Sequence, residues 1–117
     1  MEQLELDVAR LRAAMNEYKE ALIKLAALKK QLLDIQKDQT ALKNKYTQEA
    51  NNPELNLRNE SLREAFIKEK LSQDETYEGR MKVEKAVLEV EAMSAGLKAE
   101  VNVLMSILAL HGKQQDL

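Results

Sequence analysis

Pro53 is the only proline in the chain, and it divides two heptad patterns of nearly equal length. Proline fixes φ, lacks an N–H and cannot sit in a helix interior. It also disfavours the α region for the residue before it, Asn52. Asn51 and Asn52 suit a left-handed helix end. The segment Asn51-Asn52-Pro53-Glu54-Leu55-Asn56 is therefore read as a hinge, with Asn51, Asn52, Pro53 and Asn56 as its working residues. Two long helices joined by a short turn predict an all-α chain folded as an antiparallel coiled-coil hairpin.

Before the hinge, Leu4, Val8, Leu11, Met15, Tyr18, Leu22 and Leu25 alternate spacings of four and three. That is a coiled-coil seam. The continuation through Leu28, Leu32, Ile35, Gln39, Leu42 and Tyr46 follows two successive steps of three, which reads as a stammer. After the hinge, Asn56, Asn59 and Ser61 are candidate helix caps, and a start near Asn56 is expected. The pair Ser72 and Glu75 has capping-box spacing. With Gly79 it predicts a kink or break over residues 72–79. A second seam runs through Val83, Val87, Val90, Ser94, Leu97, Val101, Leu104, Leu108 and His111. Ser94 and Gly96 are small enough to admit a close helix approach. Gly112 is read as a left-handed cap, and residues 112–117 as a frayed tail. The expected plan is one domain: helix one over about 2–50, the turn over about 51–56 and helix two over about 57–111. The antiparallel register would set Val101–Leu110 beside Leu4–Met15.

Composition bears on function mainly by exclusion. Charged residues make up 32% of the chain and aromatics 3%, the usage of long helices rather than of a mixed α/β core. The net charge of −2 fits neither a strongly basic nucleic-acid binder nor an acidic mimic of one. There is no cysteine and a single histidine, His111, so thiol chemistry, a catalytic triad and a histidine metal cluster lack their parts. The carboxylate pairs Glu60/Glu64 and Glu84/Glu91 read as solvated helix surface. The expectation is no enzyme, no cofactor and no metal. No charge-free apolar run of about 18 residues is present, so no membrane span is expected, and the setting is expected to be cytoplasmic.

Partners are the remaining question. Near the C-terminus apolar residues occupy more than one stripe, which implies burial on several sides. Leu6, Val103, Met105 and Leu110 are the candidate oligomer interface, and a homo-oligomer, a dimer or higher, forming a four-helix bundle is expected. An unidentified protein partner is expected as well. The alternative is a nucleic-acid-associated accessory factor, using the basic face offered by Lys19, Lys24, Lys29, Lys30 and Lys37.

The segment from Asn52 to Phe66 contains Asn59-Glu60, Arg63 and Ala65, followed by Leu71, Asp74 and Tyr77. This pattern resembles a group of small, largely uncharacterised helical proteins encoded by bacteriophages and prophages, some of them among recombination and replication genes. The likeness is confined to about residues 52–77. It implies a phage or prophage origin and a bacterial cytoplasm, and it supplies no activity and no catalytic residue.

Overall fold

A computed structural model of the chain describes residues 2–115. The protein is all-α, a helical hairpin built from long antiparallel helices. Helix α1 spans Glu2–Ala50, α2 spans Glu60–Gln73 and α3 spans Glu75–Gln115. A one-turn 3-10 helix, Pro53–Leu55, lies in the turn. The helices divide between two compact units: Met1–Ala27 with Val87–Leu117, and Leu28–Ala86.

The turn is built almost entirely from its own polar groups. The Asn51 N–H bonds the Thr47 carbonyl at 3.2 Å, and the Asn52 N–H bonds that of Glu49 at 3.0 Å. These capture carbonyls that the end of α1 would leave unpaired. The Asn52 side chain accepts the Glu54 N–H at 3.1 Å, and Pro53 opens the 3-10 turn, where no N–H is needed. The left-handed residue is neither Asn51 nor Asn52. It is Asn56, at φ 55°, the one non-glycine residue with positive φ among those described. The second arm therefore does not start near Asn56. Asn59 caps it instead, accepting the Leu62 N–H at 2.9 Å.

Two further boundaries differ from the sequence reading. The break over 72–79 is real, but Asp74 makes it, not the Ser72–Glu75 pair or Gly79. Asp74 is extended, at ψ 144°, and its carboxylate accepts both the N–H and the hydroxyl of Thr76, at 2.9 and 2.8 Å. The Ser72 hydroxyl bonds back to the Glu69 carbonyl, while Gly79 continues inside α3. At the other end Gly112 is not a cap. It is helical and α3 runs on to Gln115; residues 116–117 of the expected frayed tail lie outside the described residues.

Candidate interaction surfaces

In the first unit the buried residues of α1 are Asp7, Ala14 and Ala21, and half-buried Leu4, Leu11, Tyr18 and Leu25 lie between them. These positions alternate three and four without a slip, and half-buried Leu28, Leu32, Ile35, Gln39, Leu42 and Tyr46 extend the same phase along α1. There is no stammer. Ala14 and Ala21 are each 3% exposed, against 52% for Met15 and 44% for Leu22. The larger side chains flank the seam and the alanines occupy it. The facing seam of α3 holds Val87, Val90, Ser94 and Leu104, all buried. Ser94 fills the small-residue role expected of it, whereas Gly96 is exposed and a Cβ there would meet nothing.

The antiparallel direction shows in which residues meet. Asp7 pairs with His111 at 3.0 Å, and Val101 lines the same groove as Met15, Tyr18 and Leu22, close to the expected register. Asp7 is 4% exposed, an acid in a seam position. Ionised, it can only accept, so the His111 Nε2–H donates to it, and the Gln3 amide donates to its other oxygen at 3.0 Å. The histidine contact is the largest influence holding the Asp7 carboxyl below its ordinary range, with burial opposing it. The sequence reading placed His111 at the end of the second seam without a partner. Its partner was missed because Met15 and Leu22 drew the seam off the phase that contains Asp7.

The outer surface of this unit is rich in apolar side chains. Leu6, Val103, Met105 and Leu110 are 55%, 59%, 55% and 57% exposed. They do not form one patch. At about 100° per residue, Val103 and Leu110 share an azimuth on α3, while Met105 lies on nearly the opposite side, by the flank of the seam. An open apolar groove of about 440 Å³ lies at Met15, Leu22 and Val101. Part of α3 is also long and apolar enough to cross a membrane, although only 11% of that stretch is buried. The expectation concerned a charge-free run, and this stretch carries Lys98 and Glu100; core helices pass the same test of length and hydropathy.

The second unit is more polar. Arg80 donates to Gln39 at 2.8 Å and to Glu84 at 2.7 Å, so the polar seam residue of α1 is paired across to α3. Glu84, expected to be solvated helix surface, is half of a part-exposed ion pair with Arg80. The Tyr46 hydroxyl reaches Asp74 at 3.5 Å. Burial, and then the Asp74 charge, raise the tyrosine pKa, while the two Thr76 bonds lower that of Asp74. An open groove of about 1010 Å³ runs beside Ile67, Leu71, Tyr77 and Met81. Lys43, Lys68 and Arg80 line it together with Glu64 and Glu84, a mixture that selects neither anions nor cations.

The five lysines of the alternative reading are all exposed, but they form no single face. Lys30 and Lys37 fall close to one azimuth with Lys19, while Lys24 and Lys29 fall well away on opposite sides at about 100° per residue. They are also shared between the two units. Among the described residues no cluster of three or more His, Asp or Glu side chains could hold a metal ion. Comparison with protein-family models, with curated proteins and with solved structures finds no match for this chain.

Proposed function

We propose that this chain is a non-enzymatic helical interaction protein that associates with itself and binds a protein partner. The observation that carries this is the outward side of α3 in the first unit, where Leu88, Val103 and Leu110 stand more than half exposed. Contiguous apolar surface of that kind on a water-facing helix marks an interaction site. Docking one large side chain is worth about 1.5–3 kcal/mol. The resemblance of the turn supports a phage or prophage origin and with it a bacterial cytoplasm. The nucleic-acid alternative is weaker, because its lysines are dispersed around α1.

The test is sedimentation of the wild type and of the double variant Val103→Lys, Leu110→Lys. The wild type is expected as a dimer or larger, and the variant as a 13.3 kDa monomer that keeps its helical circular dichroism. A wild type that sediments as a monomer at every concentration would refute self-association. Fluorescence anisotropy with single- and double-stranded DNA at two salt concentrations addresses the alternative. Salt-sensitive micromolar binding would favour it over the reading proposed here.

A further inference from the structure

The two helices of the first unit have unlike outer sides. On α1, Glu5, Arg12 and Glu20 face away from the seam and are exposed. On α3, residues 92–110 carry two charges, Lys98 and Glu100, and at about 100° per residue both flank the seam. Over residues 92–110 the side turned away from α1 has none. It presents Val103 and Leu110, at 59% and 57% exposure, with Ala95, Ala99 and Asn102 on the same side, all exposed; Leu88, at 67%, continues that side between Lys85 and Glu91. A helix apolar around most of its circumference belongs inside an assembly, yet only 11% of the most apolar stretch of α3 is buried within one chain.

We infer that a second copy of this chain covers the outward face of α3, making α3 and its mate the central pair of a four-helix assembly with the two α1 helices outermost. This rests on the self-association proposed above and names its face. A stable interface buries about 800 Å² per partner, and the half-exposed large side chains with the small residues between them are the surface a mate would cover. Ala92, Ala95, Ala99, Asn102, Ser106 and Ala109 recur at alternating three and four, the period on which an identical helix packs. Asn102 chooses the partner and the direction. Its amide both donates and accepts, so the same asparagine of a parallel α3 satisfies it, as a single seam asparagine does in parallel coiled coils. Lipid would leave that amide unpaired.

The chain has no cysteine, which permits a direct test with the single variants Asn102→Cys and Arg12→Cys. A disulfide requires Cα atoms within about 7 Å. Mild oxidation of Asn102→Cys is expected to give covalent dimer in high yield, at least several-fold above Arg12→Cys on the outer helix. Ala99→Glu, a change on the exposed face of α3, is expected to keep its helicity and sediment as a monomer. If Ala99→Glu stays oligomeric and Arg12→Cys crosslinks better than Asn102→Cys, self-association stands and this face is wrong. A monomeric wild type overturns both. Co-flotation of monomeric wild type with phosphatidylcholine vesicles would show that lipid covers α3, and overturns the inference too.

Discussion

Asp7 occupies a seam position that a coiled coil normally gives to an apolar side chain, and the donors from His111 and Gln3 make it tolerable there. Its folded pKa is depressed, so its contribution to stability is present above the unfolded value near 3.8 and is lost as pH falls through the lower folded value. A carboxyl-detected NMR titration should place the Asp7 midpoint below 3.8. A midpoint at or above that value would mean that the contact with His111 does not form in solution. The same unit tests the seam. Ala14 and Ala21 are packed, so Ala14→Leu or Ala21→Leu should cost about 1–3 kcal/mol by overpacking. Met15→Ala and Leu22→Ala remove half-exposed side chains and should cost less than the alanine enlargements in urea denaturation. The reverse order would restore the stammered register.

At the scale of elements, the turn and the α2–α3 junction show how a few side chains stop and restart helices. Asn59 satisfies the Leu62 N–H, and the Arg63 guanidinium holds the Leu57 carbonyl at 3.1 Å. The Asn-Glu-x-x-Arg pattern of the turn thus has a local structural use. Asn59→Ala should cost about 1 kcal/mol and speed amide exchange in the first turn of α2, whereas Ser61→Ala should change little. Equal effects from the two would move the cap. Asn56 is left-handed, so Asn56→Gly should be neutral or better. Asn56→Val should cost about 1–2 kcal/mol, because a branched Cβ crowds the backbone there. Pro53→Ala should stay within about 1 kcal/mol, because the flanking asparagines also specify the turn.

For the whole molecule, the balance of charges and apolar surface makes stability and association inseparable. If copies bind through α3, the melting temperature must rise with protein concentration, since association stabilises the folded state by mass action. Scanning calorimetry over about a hundredfold range of concentration should show a steady rise. A melting temperature independent of concentration over that range would argue for a chain stable alone, its apolar face reserved for a different protein.

The heptad spacing and Pro53 were enough to read two long antiparallel helices, because period and backbone restriction act within a few residues of one another. The break near Asp74 was legible for the same reason, although the capping residue was not, since Ser72, Asp74 and Glu75 all carry suitable oxygens. What the linear pattern left open was which apolar residues face inward. Where Ala14 adjoins Met15 and Ala21 adjoins Leu22, size favours the larger neighbour, but the facing helix admits the smaller one and keeps the heptad unbroken. The Asp7–His111 pair, the Gln39–Arg80 pair and the separation of Met105 from Val103 all follow from that choice of face. Each depends on residues far apart in sequence and on the space the opposite helix leaves, which no local window contains.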